Sequence, residues 1–376
     1  MDVSEEIVRP PTFEDFFYAK IDRLSLSTHL RQNERQTAES YQTKLRDYLN
    51  STRHSRRKRA ALKLLKELWV YRHSKERTYP IFESFFKFEP MLFRDPSYRD
   101  HFFHQINVFV IGHYLINKLL HNQRIYNVFD FAGDINFTWL LASTFHDVGY
   151  PIQKVSAWMT DFFQDFIGAR PLYQVSLDTM LTQNFYDYVR HLATFHYARE
   201  KGMELPGFGV GSQFTDWRLY DQLLVGLKNK NHGVLSALLL MHRILTQESF
   251  ARSQEYLIAD FPKQICTAAH AIGLHHLKAT KEKVRFTVNP FGALLILCDE
   301  IQDEGRPSAK PMPFTRIVDI DVEFDGNRPT VKCLLEIPNR QVKEQKSKLR
   351  DRITMDQFFT LQLLDTRDQS VIATIN

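Results

Sequence analysis

The chain has 376 residues, a formal net charge of +5, and side chains that are 43% apolar and 13% aromatic, which excludes a disordered chain and allows a large buried core. The 30 Phe and 15 Tyr against only 14 Gly favour packed helices over a turn-rich all-β fold. Three widely spaced cysteines predict a reducing compartment, the acidic N-terminal segment is unlike a signal peptide, and the apolar runs are too short to span a bilayer, so we expect a cytoplasmic protein with no membrane contact.

Residues 1–90 are predicted to form an N-terminal helical extension with a basic segment. Between Arg53 and Arg77 the chain carries ten Lys or Arg residues and two Glu. The buried side of a helix there would consist of Leu62, Leu65, Trp69 and Val70. The basic side is either a solvated face or a surface for nucleic acid or a polyphosphate, so nucleic acid is a possible partner of segment 53–77.

Residues 91–306 are predicted to form a helical body, because apolar runs at helical spacing alternate with short Gly, Pro and Asn breaks. An early helix of this body contains His101 and His104, three residues apart on one face. A buried imidazole needs a partner, and a metal ion is one such partner. Either histidine could be a ligand; we favour His104, because the four-residue step to Val108 keeps it over the buried stripe.

The segment WLLASTFHDVGYP predicts an apolar helix that begins at Asp134 and stops at Gly149 and Pro151. His146 and Asp147 then lie at the end of this helix, where both side chains can turn toward a common ion and leave room for a substrate. The alternative is a capped helix end without a ligand.

Two further histidines stand at the ends of predicted helices rich in small residues. His232 opens the helix of NHGVLSALLLMH, in which Gly233 permits close approach of another helix, although this histidine could simply cap the helix start. In ICTAAHAIGLHH, His275 follows Ala271 on one face and would look across a tightly packed seam.

The segment NPFGALLILCDEIQDEGRP predicts a helix that starts at Asn289 and stops near Gly305. Asp299 lies in the middle of its apolar run, where a carboxylate requires a strong partner. We expect Asp303 to be solvated near the exposed end. Arg306 lies on roughly the same face as Asp299 and could meet a substrate phosphate or pair with an acid.

Residues 307–376 are predicted to form a small C-terminal α+β unit. Alternating apolar and polar residues predict a hairpin of two strands, Arg316 to Phe324 and Thr330 to Ile337. A charged stretch from Gln341 to Arg352 predicts a helix, and FFTLQLL and SVIATIN are strand-like.

In chain order the candidate residues read His, His-Asp, His, His, Asp. This order, with the phrases HDVGYP, HGVLSA, AIGLHH and LLILCDEIQDEGRP, resembles the HD-domain superfamily of metal-dependent phosphohydrolases over about residues 98–306. The resemblance implies an HD-type helical bundle for this part of the chain. Together with the N-terminal helical extension and the small C-terminal α+β unit, which the sequence patterns predict, this gives a mainly α protein. It also implies one or two divalent ions held by His104, His146, Asp147, His232, His275 and Asp299.

The same resemblance implies a metal-dependent phosphohydrolase that cleaves a phosphate ester or anhydride of a phosphorylated small molecule, a nucleotide in our reading. Asp147 would bridge two ions, and a water held between them would attack phosphorus. Four imidazoles and two carboxylates suit Mn, Fe, Zn or Co better than Mg, which prefers oxygen-rich sites.

Two departures from the family pattern leave roles open. Many relatives carry a Lys soon after the His-Asp doublet, whereas this chain has Tyr150 and Pro151, with Lys154 the nearest cation. Lys154 is therefore either a phosphate-binding residue or a surface lysine. The long interval before His232 contains His196, which could be a ligand or a general acid in catalysis.

There are two alternatives to hydrolysis. Some HD-type proteins use the same ligands to activate oxygen, so the first alternative is a di-iron oxygenase. The second is a non-catalytic module that binds a ligand or a partner.

Overall fold

The computed structural model describes residues 12–21, 32–70, 84, 87–89, 92, 99–167, 183–204, 214–245, 261–277, 283–303, 314–325 and 328–376. Most of these residues are helical, and a small sheet lies at the C-terminal end of the chain. The predicted mainly α fold with a C-terminal α+β part is confirmed at this level.

The helices within the described ranges begin with α1 (Phe13–Ala19), α2 (Gln32–Leu49), α3 (His54–Val70), α4 (Phe102–Leu119), α5 (Gln123–Phe129), α6 (Ile135–Phe145) and α7 (Tyr150–Ile167). They continue with α8 (Gln183–Lys201), α9 (Trp217–Lys228), α10 (His232–Leu245), α11 (Phe261–His275), α12 (Pro290–Ile301) and α13 (Arg340–Ser347).

Side-chain caps set several helix starts where the sequence predicts them. The Asp134 carboxylate accepts the Phe137 N–H at 2.8 Å and starts α6. The Asn289 amide oxygen accepts the Gly292 N–H at 2.8 Å and starts α12. Each cap satisfies a backbone donor that has no partner within its helix.

The C-terminal sheet has four strands in the order β2, β3, β5, β6, formed by β2 (Arg316–Asp325), β3 (Arg328–Glu336), β5 (Thr360–Asp365) and β6 (Val371–Ile375). The β2–β3 and β5–β6 pairs are antiparallel and the β3–β5 pair is parallel. Alternate residues of β3 are buried, which is the pattern of a strand with one face on the core. A second, parallel pair joins β1 (Val284–Arg285) to β4 (Ile353–Thr354).

One continuous hydrophobic core runs from α1 to β6. The rings of Phe16 and Phe17 in α1 meet Tyr114 of α4 edge-on at 6.3 and 5.9 Å, and Lys20 pairs with Asp319 of β2 at 2.8 Å. The described residues of the three segments distinguished in the sequence, 1–90, 91–306 and 307–376, therefore share one core. Among the described helices, none has the length and apolarity needed to cross a membrane.

Five helices form the centre of the molecule. α4 packs against α6 and α12, and α11 packs against α6, α10 and α12. The six residues that the resemblance assigns as metal ligands lie in the first or last turn of these helices or directly after it.

Candidate metal centre

The six predicted metal ligands lie together in two adjoining groups, in which all side chains are buried except that of Asp299. One group is His104, His146 and Asp299, and the other is Asp147, His232 and His275. Within each group the candidate ligand atoms lie within 4.8 Å of one another. Side chains spread over about two hundred residues of sequence therefore converge on one place.

Close helix packing at the end of α6 brings the second group together. The Gly149 N–H donates to the Ser236 Oγ of α10 at 2.8 Å, and a Cβ at Gly149 would lie 2.5 Å from the backbone oxygen of His232. Only a residue without a side chain allows this approach, which carries Asp147 to the first residue of α10.

Asp147 stands between the two groups. Its Oδ2 lies 3.4 Å from His146 Nε2 and 3.9 Å from His104 Nε2, whereas its Oδ1 lies 3.4 Å from His232 Nε2. The two oxygens of one carboxylate thus face different imidazoles, which is the arrangement of a carboxylate that can bridge two cations.

Asp299 occupies the other end of the first group. Its Oδ1 lies 2.8 Å from His104 Nε2 and 3.9 Å from His146 Nε2. Its side chain is 25% exposed, whereas those of His104, His146, Asp147 and His232 are 10% exposed or less. Asp299 therefore lies on the most open side of the centre.

All four imidazoles have their Nδ1 atoms held by an oxygen acceptor. His146 Nδ1 meets the Ser143 carbonyl at 2.7 Å and His275 Nδ1 meets the Ile272 carbonyl at 2.6 Å. The other two Nδ1 atoms meet the side-chain oxygens of Gln302 for His104 and Gln153 for His232. A proton on Nδ1 leaves the lone pair on Nε2, which points into the centre.

Two of these Nε2 atoms are buried without a hydrogen-bond partner in the described part of the chain, those of His146 and His275. A buried imidazole nitrogen without a donor is costly, and a divalent cation would remove that cost. The residues present therefore fit one or two metal ions.

The protonation states of the ligands suit a cation. Burial lowers the pKa of His232 well below its usual value and lowers that of His275 to about 3, so both imidazoles are neutral at pH 7. Burial alone would raise the pKa values of Asp147 and Asp299, but the imidazoles that face them hold both well below the usual range. Neutral imidazoles with anionic carboxylates form a donor set for a divalent transition metal.

His101, the alternative to His104 in the sequence, also belongs to the centre. Its Nδ1 lies 2.6 Å from Asp147 Oδ2, so it supports the carboxylate between the two groups. Tyr150 stacks on the His101 ring with 3.9 Å between centroids and meets His232 edge-on at 5.6 Å. The Lys154 ammonium lies 5.5 Å from the Tyr150 ring, at the edge of the centre.

His196 lies elsewhere. Its Nδ1 pairs with His270 Nε2 at 2.9 Å and its Nε2 lies 3.8 Å from Asp216, beside a cavity of about 870 Å³ that neither ligand group lines. The structure thus brings His232, and not His196, to the other candidate ligands. Arg306 lies outside the described residues.

Sequence patterns missed the charged residues that support the ligand helices. Arg352 donates to the His275 carbonyl at 2.6 Å and pairs with Glu300 at 3.3 Å. The expectation that Asp303 is solvated is wrong, because it pairs with Arg99 at 3.0 Å and Lys346 at 3.3 Å. These partners lie 43 or more residues away in sequence, so no local pattern signals them.

Comparisons with family models, with curated proteins and with solved structures gave no match for this chain.

Proposed function

We propose that this protein is a metal-dependent phosphohydrolase that cleaves a phosphate ester or anhydride of a nucleotide, as its resemblance to HD-domain enzymes implies. The observation that carries the proposal is the place of Asp147, whose two carboxylate oxygens face imidazoles of different ligand groups. A pair of divalent ions can stabilise both the attacking and the leaving oxygen when a phosphate ester is displaced in line.

The chain supplies the ligands and their orientation. His104, His146 and Asp299 would hold one ion, His232 and His275 the other, and Asp147 would be shared between them. When bound, such ions provide a water-derived nucleophile near neutral pH and stabilise the charge of the phosphoryl group. His101 keeps Asp147 in place through its 2.6 Å contact.

The surroundings suit a small anionic substrate. Because the Asp299 side chain is partly exposed, a substrate can reach the centre from that side. The other ligands are buried. Lys154, next to Tyr150, would bind a phosphate at the edge of the site. Four imidazoles favour Mn, Fe, Zn or Co as the metal.

The test combines metal analysis with turnover. Purified protein should contain about one or two transition-metal ions per chain, and it should release phosphate or nucleoside from a panel of nucleoside mono-, di- and triphosphates in the presence of Mn²⁺. Asp147→Asn should lower this turnover by at least about a hundredfold, because it removes the shared anionic ligand.

The matched control is Asp187→Asn, since the Asp187 side chain is 52% exposed and pairs only with Arg190 in its own helix among the contacts described. This variant should keep its metal and its turnover. A metal-loaded protein that turns over none of the panel would overturn the proposal, and iron with dioxygen consumption would indicate an oxygenase instead.

A further inference from the structure

The outer face of α3 carries a row of exposed cations. Arg56, Arg59, Lys63 and Lys66 are exposed and follow one another at steps of three or four residues, which places them on one side of the helix. Arg53, exposed just before the helix, extends the row. We define these five residues as the basic ridge.

The opposite face of α3 belongs to the core. Ala60, Ala61, Leu64 and Leu65 are buried. Arg57 also turns inward, where its guanidinium lies 2.5 Å from Glu14 and 3.1 Å from the Tyr48 hydroxyl. The charge of Arg57 is thus neutralised by Glu14, whereas the basic ridge faces solvent.

The positive charge of the basic ridge is not balanced by nearby acidic residues in the sequence or by described ion pairs. No acidic residue occurs between Ser51 and Lys66, and none of the five side chains has an ion pair with a described residue. Cations near the first turn of α3 also oppose the helix dipole, which favours acids at that end. Repulsion among the five cations and their unfavourable interaction with the helix dipole both destabilise α3. The stability of the helix therefore does not explain why these cations lie together.

From these observations we propose that the basic ridge binds the phosphodiester backbone of a nucleic acid. Regularly spaced cations that have no ion pair with a described residue, over a length of about 20 Å, match a polymer with one negative charge per residue. This binding is sequence-independent, because it reads phosphates and not base edges.

The chemistry of the face favours nucleic acid over two other polyanionic partners. A protein partner normally requires aromatic or apolar anchors, and from Thr52 to Lys66 the exposed residues are all polar or cationic. An amphipathic helix that enters a membrane surface must offer its apolar face to the lipid. That face of α3 is already buried in the core.

The experiment measures binding of the full chain to fluorescent 20-residue oligonucleotides, single-stranded and duplex, between about 50 and 300 mM salt. For the duplex, we expect log K to fall against log salt with a slope of about −4.5, which is about −0.9 for each of the five cations. Arg56→Gln, Arg59→Gln, Lys63→Gln and Lys66→Gln together should bring the slope close to −1 and raise the Kd at low salt at least about a hundredfold. Arg59→Gln with Lys63→Gln should give an intermediate slope.

The control removes the same charge elsewhere, by changing Lys201, Lys228, Arg340 and Lys348 to Gln, all of which are exposed. It should bind as the unchanged protein does. The proposal is overturned if neither oligonucleotide binds at 50 mM salt, if the control loses as much affinity as the ridge variant, or if polyglutamate of equal length binds as tightly. Circular dichroism should give the same helix content for all variants, and phosphohydrolase activity is not part of the readout.

Discussion

Two glycines near the metal centre differ in what surrounds them. A Cβ at Gly233 of α10 would lie 2.8 Å from Cε1 and 2.9 Å from Nδ1 of His275. At Gly273 of α11, the nearest atoms to such a Cβ are Leu223 Cδ2 at 3.5 Å and the Ala237 Cβ at 3.7 Å, which is ordinary contact. The first glycine therefore makes room for a ligand imidazole, and the second does not.

Gly233→Ala should weaken metal binding about 10- to 100-fold, because the added methyl group displaces the His275 ring from its place. Titration of the metal-free protein with Mn²⁺ or Zn²⁺, followed by calorimetry, measures the change. Gly273→Ala is the control: it should keep the metal affinity and increase helix stability by up to about 1 kcal/mol. Equal affinities for the two variants would show that the His275 ring is not held against α10.

The candidate ligands themselves could be predicted from sequence, because each is a polar residue inside or at the end of an apolar helical run. What holds them could not be predicted. Gln302 meets His104 across 198 residues of sequence, and Gln153 meets His232 across 79. A glutamine within a helix or directly after one has no local signature that distinguishes a partner of an imidazole from a solvated side chain.

At the scale of elements, the C-terminal unit supports the ends of two ligand helices. α11 ends at His275, whose carbonyl accepts from Arg352. α12 is supported in the same way, because the ammonium of the buried Lys346 meets the Glu300 carbonyl. Carbonyls in the last turn of a helix have no partner within it and carry negative potential, so cations stabilise them.

Arg352→Gln should therefore lower metal affinity by about tenfold, because the end of α11 loses the contact that fixes His275. Arg350→Gln is the matched control, since Arg350 is exposed and its described ion pair is with the adjacent Asp351 at 3.8 Å. Arg352→Lys, which keeps one cation at this place, should recover part of the affinity. A loss of stability without a change in metal affinity would contradict the positioning role.

Helix starts were easier to predict than helix ends. Asn289 and Asp134 cap their helices as their side-chain chemistry predicts. The sequence predicts the end of α12 near Gly305, whereas the helix ends at Ile301 and the backbone is extended at Gln302. The side chain of Gln302 contacts His104 at this end, a tertiary contact that the local sequence does not signal.

For the whole molecule, the mainly helical class followed from composition and spacing, and the C-terminal hairpin followed from alternation. The packing of α1 onto β2 and α4 did not follow, because Phe16, Phe17 and Lys20 reach partners about a hundred or more residues away. Such long-range contacts join α1 to the common core, and the sequence periodicity within α1 carries no information about them.

One consequence of the common core concerns pH. His191 of α8 is 8% exposed, and its Nε2 lies 3.2 Å from the thiol of Cys266 in α11. Burial lowers the pKa of His191 to about 4 and raises that of Cys266 to about 12, so both side chains are neutral in the folded protein. An unfolded chain has a histidine pKa of about 6.5.

Between pH 6.5 and 4 the unfolded state therefore binds a proton that the folded state does not. Stability is complete above pH 6.5 and falls as the pH falls, by about 2 kcal/mol at pH 5 for this residue alone. Urea unfolding of the metal-free protein at pH 7 and pH 5 measures the loss, which His191→Gln should reduce by that amount. His121→Gln, at an exposed position, should leave it unchanged, and the same pH dependence in all three proteins would mean that His191 is protonated in the folded state.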